Sequence, residues 1–249
     1  MFMKKYGLIG YPLGHSFSKN YFTEKFLREG LTDCQYDNYE LDDISLLNEL
    51  LDDSRELLGL NVTIPHKTAV IEMLDLVNED ARDVGAVNVI KIINDSGRRK
   101  LKGYNSDIYG FRESLLPHLT DNIKSALILG TGGSSLAVEW VLGKLNIEYK
   151  KVSRSPGKES IGYPEITEDL LSGTQLIVNT TPLGMFPGVS SMPDLDYDLL
   201  GKNHILYDLV YNPEITRFLE EGRRRGCKII GGLSMLILQA EKSWELWNA

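Results

Sequence analysis

Short apolar runs alternate with longer stretches of helical period along the whole chain. Residues 5–10, 36–41, 57–62 and 87–93 read as strands, and residues 18–28 as a helix with Tyr21, Phe22, Phe26 and Leu27 grouped on one side. Asn94-Asp95-Ser96-Gly97 is turn chemistry and predicts a hairpin into a strand over 100–104. A second series starts near Asp107. Strands are expected at 125–129, 148–153, 176–179, 204–209 and 228–230, with a helix at 134–144 after the first of them. Strands that alternate with helices need crossover connections, so a mostly parallel sheet is expected. The last segment, 233–247, is a helix whose Leu236, Leu238, Ala240, Trp244, Leu246 and Trp247 call for docking against a domain.

Composition narrows the functional classes. A chain of 249 residues with 42% hydrophobic and 25% charged residues can bury a substantial core in one large or two small domains. The net charge of −8 argues against nucleic acid or an anionic membrane as a partner. The basic runs Arg98-Arg99-Lys100 and Arg223-Arg224-Arg225 read as solvated faces. Cys34 and Cys227 form no ligand-spaced cluster, and His15, His66, His118 and His204 are too scattered for a metal site. His15 and His66 are expected to structure loops, since no GxSxG elbow accompanies His15-Ser16. With no secretory signal and no apolar run near the roughly 18–20 residues that span a bilayer, a cytoplasmic location is expected.

The second half carries a cofactor signature. Strand 125–129 runs into Gly130-Thr131-Gly132-Gly133-Ser134 and then a helix, the order a dinucleotide-binding unit requires. Gly130 permits the sharp turn, Gly132 permits close approach of the pyrophosphate, and the helix amides offer donors to it. The next strand ends in Ser153-Arg154-Ser155 where an NAD site usually places Asp or Glu. A guanidinium and hydroxyls suit the extra phosphate of NADP, so NADP is the expected cofactor.

The first half carries polar clusters after its strands: Gly14-His15-Ser16-Phe17-Ser18, Asn61-Val62-Thr63-Ile64-Pro65-His66-Lys67, Gly85-Ala86-Val87-Asn88 and Gly103-Tyr104-Asn105-Ser106-Asp107. Taken singly, Ser16 and Thr63 are equally well read as helix caps, and Lys67 as a solvated residue. Together with Gly130–Gly133, Asn179-Thr180-Thr181-Pro182-Leu183-Gly184-Met185 and Gln239-Ala240 before Leu246-Trp247, they follow one order along nearly the whole chain. In that order the chain resembles the shikimate dehydrogenase family.

The resemblance implies an α/β protein with an N-terminal substrate domain (1–106, completed by 233–249) and a Rossmann-type NADP domain (107–232). It implies that Ser16 and Ser18 bind the substrate carboxylate with Tyr211 nearby. Asn61, Thr63, Asn88, Asp107 and Gln239 would contact ring oxygens and neighbouring atoms, with Lys67 and Asp107 as the catalytic pair. Gly130, Gly132, Gly133, Ser153, Arg154, Leu209 and Gly232 map to cofactor contacts. Three stretches depart from the family pattern: Lys19, Phe22 and Thr23 replace Pro, His and Asn; Ser153-Arg154-Ser155 replaces Asn-Arg-Thr; and Gly231-Gly232-Leu233-Ser234 replaces Asp-Gly-Leu-Gly.

Hydride addition to a ketone builds negative charge on its oxygen, which the Lys67 ammonium would stabilise and protonate while Asp107 orients it. The expected activity is NADP-dependent interconversion of 3-dehydroshikimate and shikimate, by a monomer or homodimer. The alternatives are a quinate/shikimate dehydrogenase using NAD or NADP, and a non-catalytic NADP- or metabolite-binding regulator.

Overall fold

The computed structural model describes residues 3–14, 17–95 and 98–249; His15, Ser16 and the Ser96-Gly97 centre of the expected hairpin turn lie outside the described residues. The chain divides into two compact units, residues 1–106 with 240–249, and residues 107–239.

The first unit contains β1 (Lys4–Gly10), α1 (Phe17–Arg28), β2 (Cys34–Glu40), α2 (Leu47–Asp53), β3 (Leu57–Val62), β4 (Leu76–Val77), α3 (Glu79–Val84), β5 (Val89–Asp95) and β6 (Arg98–Tyr104). Its sheet has the order β2-β1-β3-β5-β6-β4. The strands β2, β1 and β3 are parallel, but β5 is antiparallel to both β3 and β6. The expected mostly parallel arrangement therefore fails in this half of the sheet. Asp95 pairs with Arg98, so a hairpin replaces a crossover there.

Side chains alternate across this sheet. Ile9, Leu60 and Ile90 enter one apolar cluster, while Tyr6, Leu8 and Val89 enter another that holds Phe22, Phe26, Tyr36 and Trp247. Both faces are thus covered. On α1 the buried side is Phe22, Lys25 and Phe26, whereas Leu27, expected among the apolar group, is 84% exposed. The Lys25 ammonium is buried but bonded to Glu29 and Glu241 at 2.7 Å each, which makes its burial tolerable. Arg99 is no solvated charge: its guanidinium donates to the carbonyls of Leu51, Ser54 and Leu57 around the end of α2.

The second unit contains α4 (Asp107–Leu115), β7 (Ser125–Leu129), α5 (Gly133–Lys144), β8 (Glu148–Ser153), β9 (Ser160–Gly162), α6 (Glu168–Ser172), β10 (Leu176–Asn179), β11 (Ile205–Asp208), α7 (Arg217–Arg224), β12 (Lys228–Ile230) and the start of α8 (Leu233–Asn248). Its sheet is parallel throughout, in the order β12-β11-β10-β7-β8-β9. The chain leaves β7 outward through β8 and β9, then returns to β10 on the other side of β7. That reversal is the switch point of a Rossmann-type sheet, where ligands bind beyond the strand ends. Arg224 and Arg225 pair with Glu220, Glu221 and Asp198, which absorbs the second basic run.

The helix α8 is shared. Residues 233–239 group with the second unit and 240–249 with the first.

Candidate active site

Backbone pairing brings the polar clusters of the first unit to one end of its sheet. The Thr63 amide donates to the Ile9 carbonyl, the Tyr11 amide to Ile64, and the Val62 amide to Asn88. His66 closes a turn onto the Thr63 carbonyl, and its ring bonds the Leu41 carbonyl at 2.7 Å, the loop-structuring part expected of it. The Val87 amide donates to the carbonyl of Lys67, which ties the lysine to the Gly85–Asn88 turn. Ser18, Asn61, Thr63, Lys67 and Asn88 thus belong to one unit, on segments bonded to each other or set at the start of α1. Asn61 and Asn88 are buried, while Ser18, Thr63 and Lys67 are half-buried.

Asp107, Tyr211 and Gln239 belong to the second unit. Asp107 is buried in the first turn of α4. Gly110, one turn on, has no Cβ to meet the Met235 carbonyl or the Gln239 Cβ, so α4 lies directly against the start of α8.

The residues expected to contact the cofactor are likewise in the second unit. Gly130 ends β7 at φ +113°, a left-handed conformation, and a Cβ there would meet the Thr180 Oγ1 at 2.6 Å. Gly132 caps α5, and a Cβ on it would meet nothing within 4 Å, which leaves an open cradle before the helix amides. At the end of β8, the Ser153 hydroxyl bonds both the amide and the carbonyl of Ser155, shaping the turn that displays Arg154. Ser153 and Arg154 line a cavity of about 440 Å³ with Pro156, Gly162, Tyr163, Pro164 and Glu165, whose carboxylate accepts from the Gly162 amide at 2.6 Å. Apolar walls beside a guanidinium fit an adenine next to a ribose phosphate. On the other side of the switch point, the Gly232 amide donates to the Val210 carbonyl, and its Cα packs against the Leu209 carbonyl. The residues present therefore fit a dinucleotide with an extra phosphate.

Between those two regions lies a buried acid. The Asp208 carboxylate accepts from the Thr216 hydroxyl at 2.5 Å, the Asn179 amide at 2.9 Å and the Val210 amide at 3.0 Å. Asn179 in turn accepts from the hydroxyl and amide of Thr181, so the clamp shapes both loops past the switch point. Burial pushes the Asp208 carboxyl up to about 6. A raised folded pKa means that its stabilising contribution is complete below the unfolded value of about 3.9 and is lost as pH rises through 6. Asp208→Asn is expected to gain on the wild type by about 2–3 kcal/mol between pH 4 and 7 in paired denaturation curves. A constant difference across that range would mean that the carboxyl does not titrate there.

Comparison with known proteins decides the assignment. Residues 8–90 match the shikimate dehydrogenase substrate binding domain. The shikimate dehydrogenase (NADP+) of Methanococcus aeolicus is 34% identical, over 98% of this chain and 92% of that protein. The chain belongs to the shikimate dehydrogenase family. The shikimate dehydrogenase of Thermus thermophilus, solved with NADP(H) and shikimate, superposes with a TM-score of 0.85 at 30% identity, covering 98% of this chain and 93% of that one. A quinate dehydrogenase of Corynebacterium glutamicum, solved with NAD, gives 0.84 at 27% identity, covering 99% and 94%. Both family activities therefore occur on this fold.

Within this shikimate dehydrogenase family fold, sequence reasoning passed over several buried polar groups. Tyr36, Ser243 and Thr216 stand in stretches that carry no chemical motif, and Asp208 was read only as part of the strand 204–209. Thr216 carries a local signal, an N-cap that accepts from the Leu219 amide. Among the described residues there is no cluster of His, Cys, Asp or Glu suited to a metal, and no helix long and apolar enough to cross a membrane.

Proposed function

We propose that this chain catalyses the reversible, NADP-dependent reduction of 3-dehydroshikimate to shikimate, in the shikimate pathway of aromatic amino acid biosynthesis. The observation that carries the reading is Arg154 with Ser153 on the wall of the cavity beyond β8. It occurs in a chain similar over nearly its whole length to enzymes named shikimate dehydrogenase (NADP+). When bound, NADPH supplies the hydride. Residues 1–106 form the substrate domain, and residues 107–232 hold the cofactor through Gly130, Gly132, Gly133, Ser153, Arg154, Leu209 and Gly232.

Ser16, Ser18 and Tyr211 bind the substrate carboxylate. Asn61, Thr63, Asn88 and Gln239 hold the ring oxygens. Lys67 stabilises the charge that grows on the carbonyl oxygen and gives it a proton, while Asp107 accepts from a ring hydroxyl and orients the lysine. Free Cys34 and Cys227 suit a reducing cytoplasm, and the enzyme acts as a monomer or homodimer.

The test is steady-state oxidation of shikimate and of quinate, each with NADP+ and with NAD+. A preference for shikimate with NADP+ is expected. Preference for quinate or NAD+ would move the chain to the activity named for the Corynebacterium neighbour. Turnover with no pair, by folded protein that binds the ligands, would make it a non-catalytic regulator. Arg154→Ala separates the cofactors further. Losing a charge-assisted contact should weaken NADP+ about 10- to 100-fold and leave NAD+ within about threefold. Equal losses would make Arg154 a support for the loop instead.

A further inference from the structure

A chain of buried polar contacts runs through the first unit beneath the substrate residues. The Tyr36 phenol, on β2, lies 2.9 Å from the Asn61 Oδ1 and also bonds Ser18 at the start of α1. The Asn61 Nδ2 donates to the Ser243 Oγ of α8 at 2.9 Å and to the Asn88 carbonyl at 3.3 Å. The Ser243 Oγ meets the Ser106 Oγ at 3.2 Å, and Ser106 bonds the Asn88 amide through both its hydroxyl and its backbone N–H. Ser106 and Ser243 are fully buried, and Tyr36 is 2% exposed.

The carbonyl of Asn88 fixes which way the Asn61 amide points. A backbone carbonyl only accepts, so Nδ2 must face it, and Oδ1 must then face Tyr36. Both Nδ2 protons are engaged, on Asn88 and Ser243, and Oδ1 takes one proton from Tyr36. The capacity left on Asn61 is a single acceptor position on Oδ1. A ketone oxygen also only accepts, so Asn61 cannot bind the reacting carbonyl. It can only receive a proton from a hydroxyl.

Building on the shikimate reading, we propose that Tyr36 and Ser243 are positioning residues that hold Asn61 as an acceptor for a non-reacting ring hydroxyl of the substrate. Tyr36 sets the oxygen and Ser243 holds the nitrogen away. Through Ser106, Ser243 also ties this acceptor to Asn88 and to the residue before Asp107. The pair thereby selects a ring that keeps a hydroxyl at that position in both oxidation states.

Tyr36→Phe and Ser243→Ala test this, because each removes a hydroxyl with little change of shape. The Phe22 ring stacks on Tyr36 at 4.6 Å, a contact phenylalanine retains. Kinetics are compared with shikimate and with its analogues lacking the 4-hydroxyl or the 5-hydroxyl, with NADP+ as cofactor throughout. Each variant is expected to raise KM for shikimate about tenfold, with kcat changed by less than about threefold and KM for NADP+ unchanged. The wild type should discriminate against one of the two deoxy analogues, and both variants should lose that discrimination. A purely structural role would instead lower Tm and shift every kinetic constant together, for both analogues alike, which overturns the proposal. Wild-type KM for shikimate in the variants overturns it as well. If the wild type itself does not oxidise shikimate with NADP+, the shikimate reading fails first and the proposal with it. Should one variant not fold, the other carries the same comparison.

Discussion

Lys67→Ala is expected to lower kcat about 10²- to 10⁴-fold while changing the affinity for shikimate by less than about threefold. The step that needs the lysine is the growth of negative charge on the substrate oxygen, which no ground-state contact feels as strongly. An ammonium placed there both stabilises that charge and supplies the proton, and alanine supplies neither. The fold should not suffer. The backbone of Lys67 is held by the Val87 amide on its carbonyl, and that bond survives removal of the side chain. Steady-state kcat and a direct measurement of shikimate binding, made on the same preparation, check the split. Near-native turnover would remove Lys67 from the chemistry. A loss confined to KM would make it a binding residue only.

Much of the fold was legible because most of its strands are apolar and compact, β8 with its paired lysines being an exception. Residues 57–62, 125–129, 148–153, 176–179 and 228–230 were read with the bounds that the structure has for β3, β7, β8, β10 and β12. The strand β4 is two residues long, too short for any period to emerge, and β9 carries one isoleucine between a serine and a glycine, where the equally short β12 carries two. The direction of β5 and β6 escaped the general rule of alternation, although the turn residues between them announced a hairpin. On α1, Leu27 was assigned inward by composition. The helix instead turns Lys25 in, and that lysine's partner Glu241 lies 216 residues away. Distance along the chain also hid the polar network: Asn61 meets Ser243 across 182 residues, and nothing local marks that serine. The cofactor turn, by contrast, is a local device, and its glycine at φ +113° is readable from the strand before it and the helix after it.

Trp247→Ala is expected to destabilise the first unit by about 3–5 kcal/mol, the range for removing a buried tryptophan. Its ring stacks on Tyr6 at 4.9 Å, lies 5.4 Å from Phe22, and donates its indole N–H to the Ile90 carbonyl at 3.0 Å. It fills space on β3 that only glycine leaves open: a Cβ on Gly59 would stand 2.3 Å from the ring. Alanine at 247 would therefore empty a large apolar site and leave a buried carbonyl without its donor. At about 2–4 °C per kcal/mol for a chain of this size, Tm should fall by roughly 6–20 °C. Trp247→Phe keeps much of the packing but not the N–H, so it should fall between alanine and the wild type. Because the same turns of α8 carry Ser243, the alanine variant should also raise KM for shikimate. NADP affinity, which rests on residues of the other unit, should be unchanged. A Trp247→Ala protein with wild-type Tm would mean that the last turns of α8 do not hold the first unit together, and Asn61 would then need another anchor.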